Sequence, residues 1–258
     1  MIDIHCHILP GVDDGPKDWD AALDMLRAAE ADGTTGMVST SHVVDRLDAA
    51  MEKLYTDVFA ELKVRAAAAG IGLKLWLAGE VHCQTAFTPT SPLATFNHNG
   101  KYLLVELPMA QVPRDFKDLI FNLELEGIVP ILAHPERNTV LAQKPAMVYE
   151  WIGRGMLMQM NAGSLTGRFG KGAQKMAELM LAQNWTHFIA SDAHSARSRP
   201  PGLSEAYALV EKKYGRQRSE NLFLVHPLSA VEGRAIDIEA PLPLKKKRGL
   251  KTLFSSAR

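Results

Sequence analysis

Two histidines one residue apart, His5 and His7, stand at the end of the first apolar run of the chain, Met1-Ile2-Asp3-Ile4. In an extended segment alternate side chains share a face, so both imidazoles point one way and Cys6 points the other, toward core packing. Imidazole is the commonest protein ligand for metal ions, and two of them on a rigid element are organised at small entropic cost. Residues of the same ligand type recur in the same setting further along. His42, Glu80, Glu106, His134 and the pair Asp192 and His194 each end or follow a short apolar run, while Asp13 and Asp14 in the loop after His7 add a carboxylate within reach. One polar residue at a strand end is usually a cap or a turn former. Across six runs that reading fails, because histidines and carboxylates beside buried apolar segments are costly without partners, and the carboxylates repel one another without cations. A donor set of imidazoles and carboxylates with no thiolate suits Mn, Fe or Zn. Such ions, spaced about 3.5–4 Å apart, can share a bridging hydroxide and bind the oxygens of a transferring phosphoryl group. The chemistry expected is metal-dependent hydrolysis by in-line attack of that hydroxide on phosphorus.

These residues meet only if the runs carrying them end on one side of the molecule. Seven apolar runs, at Met1 to Ile4, Gly36 to Thr40, Leu73 to Ala78, Tyr102 to Leu107, Ile128 to Ala133, Met156 to Met160 and His187 to Ala190, read as strands. Helical patterns at Asp18 to Asp32, Asp48 to Ala69, Arg114 to Leu125, Pro145 to Ile152 and Gly172 to Gln183 lie between them, several stopped by a glycine. Regular alternation predicts parallel strands joined by right-handed crossovers. Seven units in roughly 200 residues indicate an α/β fold, a small (β/α) barrel, with a doubly wound open sheet as the alternative. In a barrel the C-terminal strand ends share one face, which is where such folds build sites. A helix at Leu203 to Lys213 and a segment at Leu222 to Ala230 complete the fold.

Composition narrows the classes. With 258 residues, 29 basic and 29 acidic side chains and 47% hydrophobic residues, the chain is an ordinary globular protein able to bury one large core, with no bulk charge for nucleic acid. No signal-peptide core or run of 18 apolar residues is present, so a cytoplasmic location is expected. Two cysteines without a Cys-x-x-Cys pair fit a reducing compartment. Cysteine-dependent tyrosine phosphatases need an arginine six residues after the nucleophile, whose loop wraps the phosphate. Val12 and Pro89 stand there instead, which excludes that chemistry. His82 and His98 are expected to be structural. The run Lys245-Lys246-Lys247-Arg248, with Lys251 and Arg258, reads as a disordered basic tail after a linker marked by Pro241 and Pro243, with weak membrane-surface contact as its functional alternative.

The segments MIDIHCHILPGVDDGP (1–16), TSH (40–42), AGE (78–80), AHPER (133–137) and SDAHSARSRPP (191–201) together resemble the polymerase and histidinol phosphatase (PHP) superfamily. Within it the chain is similar to the bacterial manganese-dependent protein tyrosine phosphatases of capsule and exopolysaccharide operons, from Met1 to about Ala235. The resemblance implies a distorted seven-stranded, TIM-like barrel spanning residues 1–235, followed by linker and tail at 236–258. It implies up to three ions, Mn2+ first with Fe or Zn as alternatives: His5, His7, Glu80 and Asp192 on one, Glu80, Glu106 and His134 on a second, Asp14, His42 and His194 on a third. Arg137 and Arg199 would hold the substrate phosphate, a role their planar donor forks suit. The implied substrate is a phosphotyrosine protein, a membrane-anchored tyrosine autokinase controlling polysaccharide synthesis. Val43 and Val44 depart from the pattern, since relatives often carry a basic or aromatic residue just after the strand-two histidine.

Other readings use the same residues. A small-molecule phosphatase acting on histidinol phosphate or a nucleotide would share the ligands. A metal-dependent amidohydrolase also opens on His-x-His but bridges its ions with a lysine after strand four, where this chain has Glu106. A metal-stabilised binding module would leave both arginines as surface charges.

Overall fold

Aspartates start the two long helices, because a short side-chain oxygen can satisfy the N–H groups that a helix start leaves unpaired. Asp18 accepts from Ala21 ahead of α1 (Trp19–Ala31), and Asp48 accepts from Ala50 and Met51 ahead of α2 (Ala49–Ala68). The computed structural model describes residues 1–44 and 46–244. Eight further helices follow among the described residues: α3 (Phe116–Leu125), α4 (Thr139–Gln143), α5 (Ala146–Ile152), α6 (Ala162–Leu165), α7 (Gly170–Ala182), α8 (Ser204–Tyr214), α9 (Arg216–Glu220) and α10 (His226–Val231). The last expected segment is helical too, a π turn at Asn221–Val225 running into a short helix at His226–Val231.

The seven expected runs appear as nine strands: β1 (Ile2–Cys6), β2 (Gly36–Ser39), β3 (His42–Val43), β4 (Lys74–Leu77), β5 (Glu80–His82), β6 (Tyr102–Glu106), β7 (Val129–Leu132), β8 (Leu157–Asn161) and β9 (Phe188–Ala190). The second and third paths through the sheet each break in two, at Thr40-Ser41 and at Ala78-Gly79. One sheet has the order β1-β2-β4 and the other β3-β5-β6-β7-β8-β9, with every pairing parallel. The larger sheet curls back to the first strand: Cys6 bridges Ala193, the Asp192 N–H donates to the His5 carbonyl at 2.8 Å, and His7 N–H donates to Ala193 at 2.8 Å. The chain is thus a mixed α/β single-domain fold around a curled parallel sheet.

Neighbouring residues of one strand serve different cores, as a sheet covered on both faces requires. Met37, Leu103, Val105 and Leu132 pack outward with Met25, Leu26, Phe116 and Trp151 of the helices. Val38, Leu104 and Ile131 pack inward with Ile4 and Phe188. The segment expected as a linker from residue 236 is laid against this body as far as Leu244. Ile236 and Ile238 pack on the inner cluster, Trp185 Nε1 donates to the Leu242 carbonyl at 2.9 Å, and Arg218 pairs with Glu239. Apolar side chains and a paired acid at 236–239 are what turn this stretch from a spacer into a strap. The basic run from Lys245 lies outside the described residues.

Candidate metal centre

Strand geometry delivers the ligand-type side chains to one end of the sheet. His5 and His7 leave β1 on the same face, and His42 and Glu80 are register partners on adjacent strands β3 and β5. The break at Gly79 lets Glu80 turn inward against its neighbour, since a Cβ at that glycine would sit 2.6 Å from Val43 Cγ2. Two ligand-type residues hold left-handed backbone, His134 at φ 31° and Asp192 at φ 53°. Such conformations cost of order 1–3 kcal/mol outside glycine and persist where the surroundings impose them.

All nine residues expected as ligands converge, and both arginines join them. Glu80 is central and buried: one oxygen lies 3.1 Å from His5 Nε2 and 3.2 Å from His134 Nε2, the other 3.0 Å from His42 Nδ1 and 3.4 Å from His7 Nε2. Asp192 Oδ1 lies 3.6 Å from His5 and His194 and 3.7 Å from His7. Glu106 approaches His134 at 3.5 Å and His42 at 3.7 Å, while Asp14 reaches His194 at 3.1 Å and His42 at 3.4 Å. Among the described residues three sets offer atoms all within 4.8 Å of one another: His7, Asp14, His42 and His194; His5, His7 and Glu80; His42, Glu80 and Glu106. His7 and His42 therefore each face two sets. Arg137 donates to Asp192 Oδ2 at 2.7 Å, Arg199 forms an ion pair with the same oxygen at 2.7 Å, and the buried Arg199 Nε has no hydrogen-bond partner.

Hydrogen bonds around the cluster decide what its nitrogens can do. His5 Nδ1 meets the Gln159 Oε1 acceptor at 2.9 Å and His7 Nδ1 meets Asp13 Oδ2 at 2.8 Å, so each Nδ1 carries a proton and each Nε2 offers its lone pair to a cation, whether a proton or a metal ion. Those two lone pairs stand 3.4 Å apart beside a buried carboxylate. That arrangement is repulsive unless a positive charge sits between them. The pKa shifts carry the same demand. Burial would depress both imidazoles, yet the Glu80 and Asp192 carboxylates push His5 up to about 9, and Asp13 and Glu80 push His7 up to about 10. Burial and neighbouring Glu80 raise Glu106. Buried Glu80 Oε2 and His42 Nδ1 have no hydrogen-bond partner. The donor set thus fits divalent cations of the Mn, Fe or Zn kind, with no soft ligand present.

Several supporting residues carried no signal noticed in the sequence. Gln159 and Asn161 end β8, from which no site residue was expected. Gln159 Oε1 also accepts from the His134 N–H at 3.2 Å, its amide donates to Asn161 at 2.9 Å, and Asn161 donates to Asp192 at 2.7 Å. Their spacing, two polar residues at i and i+2 closing an apolar run, is the same signature as His5 and His7. Glu136 is buried and accepts from Ser164 at 2.6 Å and from the Asn161 backbone. Asp3 accepts from the Ser191 hydroxyl at 2.5 Å, tying the first strand to the last. Cys6 donates to the Val38 carbonyl and takes no part in the cluster, and His98 contacts the Thr90 carbonyl away from it.

A family model of capsular polysaccharide synthesis proteins, CpsB/CapC, matches residues 1–232. The tyrosine-protein phosphatase YwqE of Bacillus subtilis (strain 168) is 32% identical over 258 residues, covering 96% of this chain and 98% of the relative. The tyrosine-protein phosphatase CpsB of Streptococcus agalactiae is 31% identical over 244 residues, covering 92% of this chain and all of the relative. Among solved structures, one described with YwqE from Bacillus subtilis and CpsB from Streptococcus pneumoniae as unique metal-dependent tyrosine phosphatases superposes with a TM-score of 0.86 at 30% identity, covering 95% of this chain and 100% of that one. A lactonase from Listeria monocytogenes, 12% identical with a TM-score of 0.53, shares the fold alone.

Proposed function

The chain belongs to the capsular polysaccharide synthesis CpsB/CapC family, and from that premise we propose the function its site supports best: it is a metal-dependent protein tyrosine phosphatase of capsule synthesis. The observation that carries this reading is the convergence of nine imidazole and carboxylate side chains with two arginines on a shared aspartate. His5, His7, Glu80 and Asp192 would hold one ion, Glu80, Glu106 and His134 a second, and Asp14, His42 and His194 a third, with Mn2+ the first choice. Divalent ions held there supply Lewis acidity toward a phosphoryl group and lower the pKa of water toward neutrality. Asp13 and Gln159 fix the imidazole tautomers so that Nε2 of His7 and of His5 faces the centre. Arg137 and Arg199 bind the substrate phosphate by swinging donors from Asp192 Oδ2 to its oxygens, and the unpartnered Arg199 Nε adds one more donor. Asn161 keeps Asp192 oriented when they do. A tyrosine leaving group has a pKa near 10, low enough that no dedicated general acid is assigned.

The two sheets are one distorted (β/α)7 barrel whose second and third strands are broken, residues 1–235 form the phosphatase domain, and a cytoplasmic enzyme acts on a membrane-anchored tyrosine kinase. No helix among the described residues is long and apolar enough to cross a membrane. The test is purified protein assayed with Mn2+ and after chelation on a phosphotyrosine peptide and on histidinol phosphate. Activity on the peptide that chelation abolishes and Mn2+ restores is expected. Faster turnover of histidinol phosphate would replace this substrate, and activity surviving chelation would remove the metals.

A further inference from the structure

Phe169 has no part in the chemistry above, yet its position is built with care. Gly167 and Gly170, at φ +83° and +84°, bracket Arg168-Phe169 with backbone that other residues rarely adopt. The Arg168 N–H donates to the Gly163 carbonyl at 2.8 Å. Gly163 admits the ring, because a Cβ there would lie 2.8 Å from Phe169 Cε2. The ring lies against Arg137, whose guanidinium carbon is 4.2 Å from its centroid. Since Arg137 is also bonded to Asp192, the phenyl face borders the place proposed for the phosphate.

A cleft of about 340 Å³ opens beside Arg137, walled by Met109, Ala142, Phe169 and Ala173 together with Glu136. Two other depressions reach Arg199, and both are charged: one holds Asp32, Arg168 and Glu205, the other Asp14, Lys17 and Arg197. The first offers an uncharged ring an apolar wall of Met109, Ala142, Phe169 and Ala173 beside buried Glu136, and Phe169 also lines the depression that holds Asp32.

We propose that this cleft seats the aromatic ring of the leaving group, with Phe169 as its platform, so that the site selects aryl over alkyl phosphomonoesters. The inference rests on the phosphatase reading. With the phosphate held by Arg137 and Arg199, the ester substituent passes across Phe169 into the cleft, where ring stacking and apolar burial favour an aryl group about tenfold.

The experiment measures calorimetric affinities of phenylphosphonate and methylphosphonate for the Mn2+-loaded full chain, in the wild type, Phe169→Leu and Ala173→Phe. Both phosphonates present the same anion, so any disturbance of Arg137 weakens them alike and drops out of their ratio. The wild type should bind the phenyl compound about tenfold more tightly, and the ratio should fall toward one in Phe169→Leu. Ala173→Phe, which fills the cleft from α7, should lower the same ratio and raise KM for a phosphotyrosine peptide with little change in kcat. A wild-type ratio near one, or a ratio unchanged in both variants, overturns the aryl cleft while leaving the phosphatase intact. A preserved ratio change in a protein that hydrolyses no phosphotyrosine peptide supports the cleft and overturns the proposed substrate.

Discussion

Histidines occupy two buried regions of this molecule with opposite electrostatic outcomes. At the strand ends, carboxylates overcome burial and push His5 to about 9 and His7 to about 10. Behind the sheet, His187 is equally buried, but its neighbours are His226 and Arg218, and its imidazole is held down at about 3. There the Met158 N–H donates to His187 Nδ1 at 2.9 Å and His226 Nδ1 contacts the His187 carbonyl at 2.9 Å. Desolvation is common to both places, so the neighbours decide the sign. A histidine facing only backbone and cations packs as a neutral ring, whereas one ringed by carboxylates is part of a cluster that calls for added positive charge. His42 joins the second kind, its imidazole raised by Glu80, whereas His194 in the same cluster is held down at about 4 by burial, His7 and Arg199.

The comparison breaks most sharply by removing imidazoles from one region at a time. His5→Ala with His7→Ala should lower phosphotyrosine hydrolysis by at least about a thousandfold and reduce bound metal, measured by elemental analysis of the purified protein. His187→Gln should keep both, and a double variant that retained full Mn2+-dependent turnover would end the metal reading. Next in size is Arg199→Ala. Loss of one forked phosphate donor should cost roughly a hundredfold in kcat/KM with metal content unchanged, and loss of metal instead would make this arginine a structural partner of Asp192. Gln159→Leu removes the acceptor that orients His5. It should weaken Mn2+ binding by about 10–100-fold in a calorimetric titration, with unaltered affinity arguing that the β1 backbone alone sets that imidazole.

The smallest effect belongs to the neutral region. The folded pKa of His187, about 3, lies below its unfolded value of 6.5, so the unfolded chain binds its proton first as pH falls. Stability from this residue is complete above pH 6.5 and drains away below it. Between pH 6.5 and 5.5 the loss should be roughly 1 kcal/mol, seen as a steeper decline in urea stability for wild type than for His187→Gln. Parallel declines would mean that His187 is protonated in the folded state.

Helix boundaries were legible because their signals are local. Asp18 and Asp48 cap the helices expected after them, and the ends fall within a few residues of the glycines that stop them. The ligand-type residues were legible for a different reason, since each sits at the end of an apolar run and parallel strands collect such ends. The breaks in the second and third strands were not legible. At the second of them Gly79 meets Val43 across the sheet, a contact between residues far apart in the chain. Gln159 and Asn161 were not legible as site residues, because an amide in an apolar strand is chemically ambiguous until its partners are known.

By itself the sequence determined that imidazoles and carboxylates, with no thiolate, stand at the ends of strands that alternate with helices, and that a cysteine nucleophile is excluded. Tertiary structure alone decided which atom faces which. Glu80 touches four histidines, both arginines meet on Asp192, and Phe169 reaches Arg137 over Gly163. The reason is physical: ligand type and strand periodicity are properties of neighbours in the chain, whereas tautomer, charge demand and the walls of a cleft arise only when distant segments share one low-dielectric space.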